Sequence, residues 1–383
     1  MPYLGAEAMI DLVLPTGIDA SKILQWQLED GMSAVEVLGL TAAAVGAANT
    51  AIQAKFGNMT FLTDEAFTFY AQGEADSGMT PRRREFGRTS GVRASEIGHM
   101  LPREDYTDAL SWTPLYLRRT RRGKVETDLK LITDRWLNRV NFDIYTRMLT
   151  NTENAIGAAG YDVPWAIGTG TNVNYIPPQY GAKKFTSSHT HFLFANTSSS
   201  GTYATLLNAM VTELKHHGIF GRPIALISGD AVDTVSALEK FVALEPAGVT
   251  VVAGNANAPI RIVQGEFQAM PGELFGYFKS SKGLIELRYD DYMPDGYTWM
   301  TQSYGVNDRR NGIAIREEPG VGFGLRPNPQ VTTSINPELD YVQFEATHGV
   351  GTNQRLNGVA GKIGAGVTSY TNPTLPDTEA PGK

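Results

Sequence analysis

The chain has 383 residues, enough for two or three domains, and its 42% hydrophobic content is ordinary for a protein that buries a core. It contains no cysteine, which excludes disulfides, thiol catalysis and cysteine-ligated zinc. The formal net charge of -7 argues against a surface devoted to nucleic acid, although a local basic patch is compatible with it.

Residues 1–58 are predicted to form an arm. The start of the chain has no basic region followed by an apolar run, so no signal peptide is predicted. The chain contains no run of about 18 apolar residues, so no membrane helix is predicted either. Residues 1–24 show no period, whereas the Ala-rich residues 33–55 predict one helix or two short ones. Gly39 and Gly46 disfavour a single rod.

Residues 59–120 are predicted to form a long loop carried by two strands. The first strand is expected at 60–70, which is rich in aromatics and threonine, and the second at 111–119. The polar stretch between them has few large apolar residues and no core of its own. Loops of this length are usually functional or disordered. Eight arginines in this stretch and in the segment after it are candidate contact residues: Arg82, Arg83, Arg84, Arg88, Arg118, Arg119, Arg121 and Arg122.

These arginines have two possible interpretations. Aromatic residues for base stacking are lacking near them apart from Phe86, so nucleic-acid binding is the weaker one. The negative net charge favours electrostatic contact with acidic faces of neighbouring subunits. Arg122 and Lys124 also oppose the dipole of the helix that follows, which indicates an acidic partner on another segment or chain.

Residues 122–152 predict one long amphipathic helix, because no Pro or Gly interrupts them after Gly123. At about 1.5 Å per residue the helix is roughly 40 Å long, and we expect it to act as a strut. Apolar residues spaced three or four apart predict its core face. They are Val125, Leu129, Ile132, Trp136, Val140 and Ile144.

Residues 157–310 are predicted to form an irregular connection followed by a compact α/β unit. A helix is expected at 201–217, with Gly218 as its stop, then a strand at 223–227 and a helix that starts at Asp230 and reaches Phe241. Residues 311–363 predict further strands, and residues 364–383 a tail with little apolar content.

Known catalytic, phosphate-binding and metal-binding motifs are missing. Neither a P-loop nor a Gly-x-Ser-x-Gly motif occurs, and the glycines at 320–324 and 349–351 are interpreted as turns or bulges in strands. Adjacent residues on a helix point about 100° apart, so His216 and His217 are not expected to share a metal. We therefore expect no catalytic residue, metal or cofactor.

This order of elements resembles the major capsid proteins of tailed bacteriophages, which have the Hong Kong 97-like fold. Trp112-Thr113-Pro114-Leu115 and the Gly-rich stretch 345–363 add to the resemblance. It implies an α+β fold with an N-terminal arm, an extended β-hairpin loop, a peripheral domain with a long spine helix, and an axial α/β domain. The implied boundaries are arm 1–58, loop 59–120, spine helix 121–156, axial domain 157–310, peripheral strands 311–363 and tail 364–383.

The resemblance also implies self-assembly, as hexamers and pentamers, into the icosahedral head shell that encloses double-stranded DNA. Implied partners are separate scaffold, portal and decoration proteins, with DNA held non-specifically at the inner face and no membrane. The implied location is the virion, after synthesis in the host cytoplasm.

One departure from the family concerns covalent crosslinking. The founding member of the family links a loop lysine to an asparagine of a neighbour, but this chain has no lysine between Lys55 and Lys124. We therefore expect no such crosslink. The alternatives are an encapsulin-like nanocompartment shell of the same fold and, from a different class, an α/β enzyme with an unrecognised site.

Overall fold

The computed structural model describes residues 27–73, 95–112, 114–155, 161–169, 174–199, 201–243, 250–252, 261–263, 270–328 and 341–375. Arg82, Arg83, Arg84 and Arg88 lie outside these ranges, as do residues 1–26 of the predicted arm. The described α-helices are α1 Ala34–Phe56, α2 Pro114–Arg118, α3 Arg122–Leu149, α4 Tyr203–Lys215 and α5 Val232–Ser236.

The described strands lie in two larger sheets and three two-stranded ribbons. In chain order they are β1 Thr60–Thr63, β2 Phe67–Gln72, β3 Ser95–Met100, β4 Glu104–Ser111, β5 Asn154–Ala155, β6 Tyr161–Asp162, β7 Phe192–Asn196, β8 Ile224–Ile227, β9 Phe241–Ala243, β10 Thr250–Val252, β11 Arg261–Val263, β12 Glu273–Ser280, β13 Gly283–Tyr289, β14 Tyr297–Thr301, β15 Ile313–Glu317, β16 Arg326–Asn328, β17 Tyr341–Thr352 and β18 Val359–Gly364.

Helix α1 is continuous from Ala34 to Phe56. Its start is fixed by a capping box, in which the Ser33 and Glu36 side chains each accept a hydrogen bond from the other residue's backbone N–H. Gly39 and Gly46 do not break it, because packing of its apolar residues in the core outweighs the helix propensity lost at two glycines.

Two predicted elements are wrong. The strand expected at 111–119 ends at Ser111, and Pro114 opens helix α2, since proline is well tolerated at the first position of a helix. The helix expected from Asp230 to Phe241 is reduced to a 3₁₀ turn and the short α5, and Phe241 begins strand β9 instead.

The first sheet has five strands and is built on the long strand β17. Strands β4, β15 and β16 all pair with β17 in antiparallel orientation, and β1 adds to β15 in parallel. Strand β4 comes from the predicted loop, yet eight of its residues pair with β17 from Tyr341 to His348. This part of the loop segment therefore belongs to a sheet rather than to a protrusion.

The second sheet has seven strands in the order β7-β18-β14-β8-β13-β12-β9. Helix α4 packs on it through apolar residues that include Leu207, Met210 and Val211, each fully buried. Strand β18 pairs here with β14 and β7, although the sequence boundary groups it with the peripheral strands.

Helix α3 lies between α1 and the first sheet, where it contacts β4 and β17, and it also reaches β14 of the second sheet. The six residues of its predicted core face are all buried, with at most 4% of any side chain exposed. Trp136 donates a hydrogen bond to Asn49 of α1 and packs edge-on against His348 of β17. The helix thus ties both neighbours into one core.

Within the described helices, α1 is the single one that is long and apolar enough to cross a membrane, over Val35–Phe56. Its Val37, Val45, Ile52 and Phe56 are buried in the core cluster that contains the α3 face. These four residues of α1 therefore pack within this chain.

Candidate assembly interface

Strands β2 and β3 form a two-stranded antiparallel ribbon, with Phe69 opposite Gly98. Side chains alternate between its faces, so Tyr70 is buried while Phe67 and Phe69 are 56% and 67% exposed. A Cβ at position 98 would lie 2.7 Å from the Phe69 ring, so glycine lets this ring lie across the partner strand. The outer face of the ribbon is thus an aromatic surface that the described part of the chain leaves open.

The base of the ribbon is held by a buried polar cluster around Asp162. This carboxylate accepts hydrogen bonds from Arg147 at 2.9 Å and from the Thr352 backbone N–H at 2.9 Å, and it lies 3.1 Å from His99 Nε2. The Tyr70 ring stacks on His99, and its hydroxyl donates to the Thr352 carbonyl. The end of α3, the ribbon, β6 and β17 therefore meet at one point.

The charge of Asp162 is set by its partners. Burial by itself raises the pKa of this carboxyl, but the charge of Arg147 and the hydrogen bonds from His99 and Thr352 outweigh it, so the pKa lies below its usual value. Asp162 is therefore ionised in the folded protein, and the pair with Arg147 is a buried ion pair.

The basic start of α3 contacts an acidic segment that precedes α1. The Asp30 carboxylate accepts from the Arg122 backbone N–H at 2.9 Å and so caps the helix, while the Arg121 guanidinium donates to Glu29 at 3.0 Å. The backbone hydrogen bond from Arg122 lowers the pKa of Asp30. The Arg122 side chain pairs with Glu126 within the helix.

The other two predicted interface residues that the structure describes, Arg118 and Arg119, take no part in this contact. Arg118 and Arg119 are exposed at the end of α2, and neither has an ion pair with a described residue. A role for any of these arginines in contacts between subunits stays a prediction.

The histidines at 189/191 and 216/217 lie close together, which the sequence argument did not predict. Helix α4 ends at Lys215, so His216 caps it and His217 lies in the following turn. His217 Nε2 lies 3.0 Å from Nε2 of both His189 and His191. Pairs of histidines at 189/191 and 216/217 were the available signal, but their meeting is a tertiary contact.

Comparison with known proteins identifies the fold. No family model matches the sequence, and a search of curated proteins gives no match. A chain of Mycobacterium phage Patience is similar in structure, with a TM-score of 0.61 and 17% identity, over 94% of this chain and 96% of that one. The predicted α+β fold of the phage type is confirmed by this likeness.

Two further structures are similar at lower scores. A chain of the cyanophage Pam1 capsid asymmetric unit has a TM-score of 0.44 and 8% identity, over 81% of this chain and 89% of that one. A chain of the capsid of an empty GTA particle has a TM-score of 0.42 and 13% identity, over 82% of this chain and 90% of that one.

Proposed function

We propose that the chain is the major capsid protein of a tailed bacteriophage and self-assembles into the icosahedral head shell around the double-stranded DNA genome. The observation that carries the proposal is the fold shared with a phage chain over 94% of the length. The role is structural and not enzymatic. Among the described residues, no geometry favours the nanocompartment or the enzyme alternative.

The β2–β3 ribbon is proposed as a contact with a neighbouring subunit. Fully burying a phenylalanine side chain contributes about 1.5–3 kcal/mol, so covering Phe67 and Phe69 favours association. Anchoring at Asp162 holds the ribbon in place, which lowers the entropy lost on binding. Four of the arginines between the two strands, Arg82, Arg83, Arg84 and Arg88, are proposed to contact acidic faces of neighbours.

The proposed domains follow the predicted layout with two changes. The arm, loop, spine helix α3 and tail keep their order. Residues 60–63 and 104–111 are moved to the peripheral sheet because β1 pairs with β15 and β4 with β17, and residues 359–364 to the axial sheet because β18 pairs with β14.

Partners and location follow from a shell role. Copies of the chain assemble as hexamers and pentamers, with separate scaffold, portal and decoration proteins. DNA contacts the inner face without sequence specificity, and no membrane takes part. The protein resides in the virion after synthesis in the host cytoplasm.

Replacing both exposed aromatics, F67S with F69S, tests the ribbon contact. We expect a folded chain with wild-type melting temperature but few or no closed shells, because the side chains are exposed within one subunit and would be buried only in the proposed contact. Size exclusion and negative-stain microscopy measure shell yield.

The matched control is F220S, which removes an aromatic side chain that is 60% exposed outside the ribbon. We expect this variant to assemble. Wild-type shell yield from the double variant would contradict the ribbon assignment.

A further inference from the structure

Four of the six histidines and one glutamate meet beside the second sheet. His189 and His191 come just before β7, and Glu213, His216 and His217 lie at the C-terminal end of α4. Phe185 covers the group, with its ring centroid 4.3 Å from that of His217 and 4.9 Å from that of His189. This histidine cluster has no part in the subunit contacts proposed above.

Four side chains of the cluster are close enough to share one ion. His189, Glu213, His216 and His217 each offer a ligand atom, and these four atoms lie within 4.8 Å of one another. Glu213 Oε2 lies 2.8 Å from His216 Nε2 and 3.5 Å from His189 Nδ1. Bonds of about 2.0–2.1 Å place tetrahedral zinc ligands roughly 3.3 Å apart, so only small side-chain rotations are needed.

The contact between His191 and the Gly358 carbonyl shows which ring nitrogens of the cluster carry hydrogen. His191 Nδ1 lies 2.7 Å from the Gly358 carbonyl oxygen, which only accepts, so Nδ1 carries the hydrogen and Nε2 carries a lone pair. His217 Nε2, 3.0 Å away, must then donate to it. This leaves a lone pair on His217 Nδ1, an atom that is buried and has no hydrogen-bond partner among the described residues.

The hydrogen on His217 Nε2 cannot also form a good hydrogen bond with the His189 ring. His217 Nε2 is also 3.0 Å from His189 Nε2, and one N–H does not point straight at two acceptors. The three imidazole rings therefore have more lone pairs than N–H donors to satisfy them. A bound cation would satisfy such a lone pair, because it accepts electron pairs as a hydrogen-bond donor does.

We propose that the histidine cluster binds a divalent transition metal ion of the zinc type through His189, Glu213, His216 and His217, with His191 as a positioning residue. Imidazole and carboxylate ligands suit zinc, whereas calcium and magnesium prefer oxygen ligands alone. Four protein ligands make a closed structural site. The relay from the Gly358 carbonyl through His191 orients His217, as partners behind metal ligands commonly do.

Such an ion would join the segment before β7 to the end of α4 and so brace the second sheet at its β7 edge. The proposal rests on the geometry of the cluster and stands whether or not the chain forms a shell.

Metal binding is tested on the full chain, purified without a histidine tag and stripped with a chelator. We expect it to take up about one equivalent of Zn²⁺, and with Co²⁺ to show the intense visible absorption of a tetrahedral site. Elemental analysis and absorption titration measure these. Neither needs a variant, so a wild-type chain that takes up no Zn²⁺ and gives no Co²⁺ band would overturn the proposal.

Variants locate the site. The double variant E213Q with H216Q is expected to weaken Co²⁺ binding at least about 100-fold, and H191Q about 10- to 100-fold with a shifted absorption band. The control H348Q removes a buried histidine of β17 outside the cluster and should bind normally. Unchanged Co²⁺ affinity in the double variant would show that the ion binds elsewhere and would overturn the assignment.

Discussion

At the scale of single residues, Asp162 does the most to hold the candidate interface in place. It is fully buried, and its partners come from the ribbon, the end of α3 and the end of β17. A buried pair of this kind contributes little compared with an apolar replacement of both partners, but breaking one side leaves a charge uncompensated. The role of Asp162 is therefore to hold these elements in position and not to add net stability.

The variant D162N leaves Arg147 buried without its counter-charge. We expect a loss of about 3–5 kcal/mol in the free energy of unfolding, measured by chemical denaturation. The control R122Q breaks the exposed pair with Glu126 on α3 and should cost far less, because solvent screens this pair. Equal losses in the two variants would contradict the anchoring role of Asp162.

The same residue predicts an acid dependence. The folded pKa of Asp162 is lowered, so its stabilising contribution is fully present above 3.8 and is lost as the pH falls through the folded pKa. Unfolding curves of wild type and D162N should therefore converge as the pH drops below 3.8. If the difference in free energy of unfolding between wild type and D162N stays constant down to strongly acidic pH, Asp162 is not ionised in the folded chain.

At the scale of elements, glycine has opposite effects in strand and helix. Gly349 and Gly351 lie inside β17 where residues 101–103 cross it, and a Cβ at 349 would come 1.9 Å from the Pro102 carbonyl oxygen. Gly46 lies in α1, and a Cβ there would meet nothing within 4 Å. Glycine is required at 349 because another backbone lies too close for a side chain, whereas nothing in the described surroundings of position 46 requires glycine.

Replacing each glycine by alanine separates these cases. G349A should lower the free energy of unfolding by about 1–3 kcal/mol because the backbone of 102 must move. G46A should raise it by about 0.5–1 kcal/mol, since alanine is the better helix former. Chemical denaturation measures both. An unchanged free energy of unfolding in G349A would mean that residues 101–103 move aside without cost, and it would contradict this interpretation.

The sequence predicted elements whose signal is local and missed those set by distant contacts. All six residues that the apolar period of α3 predicts for its core face are buried. The aromatic and threonine-rich 60–70 stretch divides into β1 and β2, which join different sheets. Neither that division nor the meeting of His189 with His217 leaves a periodic signal, because each depends on residues far apart in the chain.

At the scale of the whole molecule, the described chain combines a well-packed core with surface that it leaves uncovered. Helix α3 joins α1, the first sheet and β14, while the ribbon presents Phe67 and Phe69 outward from an anchored base. A packed core with an exposed aromatic ribbon is suited to repeated association with copies of itself, which the proposed closed shell requires.

Self-assembly is tested most directly by the mass and shape of the particles that the full chain forms, expressed with its scaffold where one is needed. Light scattering after size exclusion, with negative-stain microscopy of the same fractions, should show closed shells in the megadalton range. A monodisperse monomer of 41.6 kDa under every condition would contradict the account.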